Sequence, residues 1–324
     1  MEIELLDAGT ADLEELADLE RKAFKGVTGT VALVKLLASL LSAEHYQRKY
    51  RTPAGSAKIA MVRENGKLLA ANAMIPEILR HEHGTTRGWQ SCDTATHPDA
   101  RGRGLFKTCI NTLSGHLTEG EVFFGYPNAN STQGLSSCGW GKYDVLDAFV
   151  APLPSLSRDP AIAQISRFDA QFDQLALRMV QPGTVCIERS AAYLNWRYFS
   201  HPESPYSAFA YTREGRLEGF VVTRSLPLST GDACVVLEVF GSSAAIERAL
   251  LRAAVRQGAK KRAWPTLVFS TCWGAHTWLR HGFMRLPRRV SPRQLVLMGT
   301  GIGAAGQRVM ELQWRAQVGD WDVF

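Results

Sequence analysis

The sequence predicts a mixed α/β (α+β) protein in which one fold occurs twice in tandem. Three observations carry this. Strand-like stretches alternate with segments of helical spacing, a tight hairpin returns 149 positions later (Gly66 to Gly215), and the same succession of elements follows each hairpin.

In the first pass, residues 58–71 read as two strands around Asn65-Gly66, a pair that supplies the positive φ angles of a narrow hairpin turn. A strand-like stretch leads to Arg101, and a helix follows, with Phe106, Ile110, Leu113 and Leu117 expected on one face. Val122-Phe123-Phe124 reads as the next strand, and Gly139-Trp140 closes the pass. In the second pass, Ala208–Tyr211 turns through Arg213-Glu214-Gly215-Arg216 into Leu217–Val222. Val235–Phe240 is then the strand, Ile246, Leu250 and Ala253 mark a helix up to Gly258, and Leu267-Val268-Phe269 is the next strand. Trp278–Phe283 answers the segment ending at Trp140, at an offset now of 143 (Trp140 to Phe283). The Pro-rich stretch Ala151-Pro152-Leu153-Pro154-Ser155 suits a linker, giving domains 1–152 and 153–324. Two unrelated α/β domains that share a common kind of hairpin are the alternative.

The offset shortens at one informative place. The first copy carries Arg101-Gly102-Arg103-Gly104-Leu105-Phe106-Lys107, where the second has only Gly241-Ser242-Ser243-Ala244-Ala245. Glycines at 102 and 104 let backbone N–H groups converge on an anion, and the following helix adds the positive end of its dipole. Arg101, Arg103 and Lys107 add charge. Such a segment, taken alone, is also an ordinary solvated turn.

Composition sets the broad class. A chain of 324 residues, 45% hydrophobic, can bury one large core or two medium ones. No apolar run approaches the roughly 18 residues of a membrane helix, and no basic-then-apolar leader opens the sequence, so a soluble protein is expected. Six scattered cysteines (92, 109, 138, 186, 234, 272) lack the short paired spacings of disulfide frameworks or zinc sites and suit a reducing cytoplasm. The net charge of +6 favours anionic small molecules and is too dispersed for nucleic acid.

The segment Asp93-Thr94-Ala95-Thr96-His97-Pro98-Asp99-Ala100-Arg101-Gly102-Arg103-Gly104 resembles the acyl-CoA-binding motif of the GNAT N-acyltransferase superfamily. In that motif an Arg or Gln and spaced small residues bind the CoA pyrophosphate through backbone amides. Arg101 and Gly104 match, and Phe106 departs, standing where the family has a small residue. Tyr126-Pro127-Asn128-Ala129-Asn130 and Gly139-Trp140 look like the family's fifth-strand end, its CoA-contacting Asn and its closing aromatic. The resemblance implies two GNAT-like domains, each a mixed, mostly antiparallel twisted sheet flanked by helices. The first would bind acyl-CoA as cosubstrate, and the second would shape the acceptor pocket. It also implies CoA contacts from Thr94, Ala95, Thr96, Arg101, Gly102, Arg103, Gly104, Leu105, Phe106, Lys107, Asn128 and Asn130.

The implied chemistry is direct attack of an amine on the CoA thioester, driven largely by proximity. By the resemblance, a backbone N–H at Ala95 or Thr96 meets the oxyanion. The amine must shed a proton, and Asp93 is the candidate base, with His97 behind it. Asp93 could equally tie down a strand end. Many family members place a Tyr five residues before the closing aromatic to protonate the thiolate; here that position is Leu135, leaving Cys138, solvent or substrate. No GxSxG motif suggests an acyl-enzyme.

Tyr193-Leu194-Asn195-Trp196-Arg197-Tyr198-Phe199, with His201-Pro202 and Tyr206, concentrates aromatics around one Arg. Trp196, Arg197 and Tyr198, with Tyr126, could seat a nucleotide sugar by stacking and phosphate binding, or could be packing anchors. The tandem layout resembles acyltransferases of bacterial surface-polysaccharide pathways, which act on nucleotide-linked amino sugars. A Fem-like aminoacyl transferase and a non-catalytic acyl-CoA sensor are the alternatives. Asp320 and Asp322 near residue 324 could hold an ammonium in the cleft.

Two other patterns carry less. Gly301-Ile302-Gly303-Ala304-Ala305-Gly306 matches GxGxxG, but the 18 residues after it are too few for a βαβ unit, so a surface loop is expected. His81 with His83, and Cys272 with His276, have too few companions for a metal site, and none is expected.

Overall fold

The computed structural model describes residues 1–25, 42–151, 158–200, 205–228, 231–271, 275–287 and 295–321. In chain order its elements are β1 (Glu2–Asp7), α1 (Leu13–Phe24), α2 (Ala43–Lys49), β2 (Arg51–Thr52), β3 (Gly55–Ser56), β4 (Lys58–Glu64), β5 (Lys67–His81), β6 (Gly84–Thr96), α3 (Leu105–Ser114), β7 (Val122–Gly125), α4 (Ala129–Ser136) and β8 (Gly141–Ala151). They continue with β9 (Ile162–Ile165), α5 (Gln171–Arg178), β10 (Thr184–Ile187), α6 (Ala191–Phe199), β11 (Tyr206–Arg213), β12 (Arg216–Leu228), β13 (Gly231–Gly241), α7 (Ala244–Lys260), β14 (Thr266–Ser270), α8 (Ala275–Arg280), β15 (Met284–Arg285), β16 (Leu295–Gly301), α9 (Gly303–Met310) and β17 (Gln313–Trp314). The Pro152–Ser155 linker, His201-Pro202, Cys272 and the residues from Asp322 onward lie outside the described residues.

Two compact units share these elements: Met1–Asp144 with Val296–Leu312, and Val145–Leu295 with Gln313–Phe324. The sequence predicts a single boundary at 152/153; the first compact unit instead ends at Asp144 and takes back Val296–Leu312.

In unit 1 the sheet runs β1-β4-β5-β6-β7-β16. All its neighbours are antiparallel except β6 and β7. Unit 2 repeats the pattern as β9-β11-β12-β13-β14-β8, with β13 and β14 the parallel pair. Each sheet ends on a strand from the other half of the sequence. Met298–Gly301 of β16 pairs with Val122–Gly125 of β7, and Asp147–Ala151 of β8 pairs with Thr266–Ser270 of β14.

The repeat extends to irregularities. The hairpin turns at Asn65-Gly66 and Glu214-Gly215 all have positive φ, and a register shift follows Val62 in one copy and Tyr211 in the other. Both copies also bulge after the next strand turns back, at Asp93-Thr94 opposite Asn72 and at Leu237 between the pairs Val222–Glu238 and Thr223–Val236. The closing turns agree too. Trp140 N–H donates to Leu135 O at 3.1 Å past Gly139 (φ +85°), and Phe283 N–H donates to Trp278 O at 3.0 Å past Gly282 (φ +84°). This is the wide hydrogen bond of a helix closed by a left-handed glycine.

Each core lies between sheet and helix. In unit 2, Ile246, Leu250, Leu251 and Ala254 of α7 pack on Phe209, Val221, Val236 and Val268. In unit 1, α3 buries Leu105, Cys109, Ile110 and Leu113. Its buried face is thus rotated from the expected stripe: Leu117 lies past the helix end, and Phe106 sits on the flank against α4. The GxGxxG segment is likewise no surface loop. It is the turn from β16 into α9, where a Cβ on Gly301 would come within 2.0 Å of the Gly306 backbone and one on Gly306 within 2.4 Å of Glu121 O. These glycines permit close packing.

Candidate functional site

The site candidates on β6, α3 and α4 all fall in unit 1. β6 pairs with β7 only from Gly88–Val122 to Gln90–Phe124, yet β6 runs on to Thr96 while β7 stops at Gly125. Up to that point the strands are close, since a Cβ on Gly125 would lie 3.2 Å from Ser91 O. Beyond it β6 has no strand partner on that side among the described residues. Parallel strands that separate in this way expose a row of backbone N–H and C=O groups.

The bulge sits in this exposed stretch. Asp93 has φ +47°, which is uncommon for a residue other than glycine and needs support from its surroundings. Support comes from two sides. Asn72, fully buried, donates through Nδ2 to Cys92 O at 3.3 Å, to Ser91 Oγ at 3.1 Å and to Thr94 Oγ1. The Asp93 carboxylate accepts from Lys49 Nζ at 2.7–2.8 Å and from Tyr50 OH at 2.9 Å. Lys49 is 6% and Asp93 12% exposed, so this ion pair lies mostly out of water. Burial and the Asp93 charge push the Tyr50 phenol well above its ordinary range, which keeps it a donor. Tyr46 stacks on Tyr50 with centroids 5.3 Å apart.

The loop from β6 to α3 follows. His97 N–H donates to Leu69 O at 2.8 Å, and its Nδ1 accepts from Asp99 N–H at 3.3 Å, capping a short turn. The ring therefore serves the loop. Gly102 and Gly104 have φ +77° and +76°, and Gly104 stands at the N-cap of α3 with no side chain to cap it. No N–H from Gly102 to Lys107 has a hydrogen-bond partner among the described residues; the first intrahelical bond is Thr108 N–H to Gly104 O, at 3.1 Å. An uncapped helix start of this kind concentrates donors and positive potential.

The expected charges are partly committed. Arg101 donates to Ala23 O at 2.6 Å, tying the loop to α1, and Arg103 grips Glu64 at 2.7 and 3.1 Å. Both members of that last pair are about 40% exposed (41% and 38%), so it is screened and weak. Lys107 is exposed and close enough to Cys138 to favour its thiolate, but burial outweighs this and pushes the thiol up. Cys138 thus keeps its proton at neutral pH. Phe106 is accounted for by α4: its ring fills the space where a Cβ on Gly134 would come within 2.7 Å.

Asn128 caps α4, its Oδ1 accepting from Asn130 and Ser131 N–H at 2.9 and 3.1 Å. Both Asn128 and Asn130 are exposed, while Tyr126 is buried. The aromatic cluster in unit 2 is engaged internally. Tyr198, buried, donates to Glu238 Oε1 at 2.8 Å, and Arg197 donates to Gly319 O at 3.2 Å and to Trp321 O. Trp196 is half-buried beside Tyr193, with centroids 5.7 Å apart. Arg197 and Tyr198 therefore anchor packing in unit 2. Asp320 is likewise buried, in an ion pair with Arg189, and is not an ammonium ligand in a cleft. His81 bonds Thr86, and no metal-ligating cluster occurs among the described residues.

Sequence reasoning missed Lys49, Tyr50 and Asn72. A single amide inside the apolar run Leu68–Met74 was a usable sign for Asn72, because buried polar groups must find partners. Lys49 and Tyr50 meet Asp93 only through the fold.

No protein-family model and no curated protein sequence matches the chain. Solved structures do. A GCN5-related N-acetyltransferase from Anabaena variabilis aligns with TM-score 0.66 and 12% identity over 92% of this chain and 72% of its own. One from Kribbella flavida gives 0.57 and 15% over 92% and 70%. The Saccharomyces cerevisiae N-myristoyltransferase with bound myristoyl-CoA gives 0.61 and 10% over 97% and 84%. At such identities the likeness establishes the backbone arrangement: this chain has the fold that these N-acyltransferases share.

Proposed function

We propose that unit 1 binds acyl-CoA and that the chain is an acyl-CoA-dependent N-acyltransferase acting on the amine of a nucleotide-linked amino sugar. One observation carries the reading: the opening between β6 and β7 leads to the uncapped start of α3. The opened edge offers backbone groups at Thr94–Thr96 to the amides of a pantetheine arm, and the N–H groups from Gly102 to Lys107 suit a diphosphate. Asn128 and Asn130, exposed at the start of α4, are further candidate contacts.

In this reading the amine lone pair attacks the thioester carbonyl and the oxyanion takes a hydrogen bond from the Ala95 or Thr96 N–H. The C–S bond then breaks, the nitrogen gives up a proton, and the thiolate gains one. Asp93, whose carboxylate is positioned by Lys49 and Tyr50, accepts the proton through water. The thiolate takes its proton from solvent, from the substrate or from Cys138. The net charge of +6 and the tandem layout support a nucleotide-linked acceptor.

A thiol-release screen of short acyl-CoAs against nucleotide-linked amino sugars tests this. Release that depends on the amine, and is lost in Gly104→Asp, is the expected result. Binding of CoA without release for any amine identifies a sensor, and unchanged binding by Gly104→Asp sinks the cradle.

A further inference from the structure

We propose that unit 2 carries a copy of the same opening and that the chain fills it with its own segment Gln313–Trp321, leaving one donor site per chain. The donor-site half of this rests on the function proposed above; the self-occupancy does not.

The correspondence is set by register. β13 and β14 are parallel and pair only from Cys234–Thr266 to Val236–Val268, after which β13 bulges at Leu237 and runs on to Gly241. This matches β6 and β7, which pair up to Gln90–Phe124 just before the Asp93-Thr94 bulge. In unit 1 the widening gap holds no strand among the described residues. In unit 2 it is occupied on both walls.

Against β14, Ser270 forms an antiparallel bridge to Gln317, Thr271 N–H donates to Ala316 O at 3.0 Å, and Ala316 N–H donates to Thr271 Oγ1 at 2.9 Å. Against β13, the Gln317 side-chain amide takes the place of a peptide. Its Oε1 accepts from Val239 N–H at 2.9 Å, and its Nε2 donates to Val239 O at 3.3 Å. An amide pairing both groups of one residue on a splayed strand is the contact that a pantetheine amide could make. Gly319 presses into the bulge, where a Cβ would lie 2.5 Å from Tyr198 OH, 2.8 Å from Glu238 Oε1 and 2.9 Å from Leu237 O. Asp320 is locked to Arg189, and Arg197 holds the carbonyls of Gly319 and Trp321.

The anion cradle is filled as well. Where α3 starts uncapped, α7 is capped by Ser243 Oγ, which accepts from Ile246 N–H. The buried Glu247 side chain packs against Gly241, where a Cβ would lie 2.8 Å from Glu247 Cγ, and Ser242 N–H donates to Glu218 O at 2.8 Å. The Ser243 cap and the buried Glu247 side chain thus occupy the helix start that would otherwise face a diphosphate.

Amide hydrogen exchange on the full-length chain tests the occupancy. In Gln317→Ala, protection at Val239 and Thr271 should fall by about tenfold or more while the β11–β12 hairpin is unchanged. Gly319→Ala, which wedges the segment out of the bulge, should do the same. Unchanged protection at Val239 in Gln317→Ala overturns the proposal even if Gly319→Ala fails to fold. Calorimetry with acetyl-CoA then counts sites: one per chain is expected, and none in Gly104→Asp. Two per chain, or binding retained by Gly104→Asp, overturns it. If the wild-type chain binds none, the reading of unit 1 fails, while the exchange result still decides what fills unit 2.

Discussion

Asp93 combines two costs, a positive φ and a mostly buried charge, and two side chains offset them. Removing one member of a buried pair leaves the other uncompensated, at about 3–5 kcal/mol. Lys49→Met should therefore lower stability in urea by about that amount, and Asp93→Asn combined with it should recover a substantial part. Strictly additive losses in that double-mutant cycle would show that the pair does not couple. Asn72→Ala leaves Cys92 O and two hydroxyls short of a donor, an expected loss of about 1–3 kcal/mol in the same assay. At this scale the sequence was half legible. Asp93 and Gly104 stood out by type and spacing, whereas Lys49 reaches Asp93 across 44 positions, a separation no local pattern encodes.

The packing of α3 against α4 separates ligand contact from support. Phe106 stands where the resemblance implies a small residue, but its ring lies over Gly134 and its backbone N–H stays available. Phe106→Ala should cost about 2 kcal/mol in urea stability, because a half-buried ring leaves a partial cavity. Its affinity for acetyl-CoA, read by calorimetry, should stay within about twofold, since backbone amides rather than this ring make the cradle. Loss of binding greater than loss of stability would put Phe106 back in the site. The start of α7 gives a pH prediction. Burial pushes Glu247 up to about 7 in the folded chain. Below its unfolded value near 4.3 both states are protonated and nothing is lost. As pH rises towards 7 only the unfolded state ionises, so the folded state loses up to about 4 kcal/mol, and the loss levels off above pH 7. Glu247→Gln should match wild type in denaturant stability near pH 4 and exceed it at pH 8. Equal stability at both pH values would mean that the carboxylate is not buried as described. Element identity was legible from periodicity, but the rotated face of α3 was not, because Phe106 and Leu105 are both apolar and only the tertiary partner decides between them.

At the scale of the molecule, the repeat was legible because turn residues report local backbone geometry: Asn65-Gly66 and Glu214-Gly215 announce equivalent hairpins. The exchanged strands were not. An apolar strand such as Leu295–Gly301 satisfies any sheet edge with an apolar face, so its sequence does not say which copy it joins. The exchange makes a definite prediction about fragments. A fragment of residues 1–152, cut where the sequence placed the boundary, lacks β16 and α9. It therefore leaves Val122–Gly125 as an open edge and strips Met298, Val309 and Met310 from the core of unit 1. Phe123 and Phe124, both fully buried in the whole chain, lie on that edge strand, and an apolar edge of this kind favours association. The fragment should bind a hydrophobic dye and unfold without a cooperative transition. Joining residues 295–312 to it through a Gly/Ser linker should restore a sigmoidal urea transition, since the linker supplies reach and the strand supplies the ladder. A cooperative transition from 1–152 alone would show that the returning segment is an accessory to unit 1 rather than part of its fold.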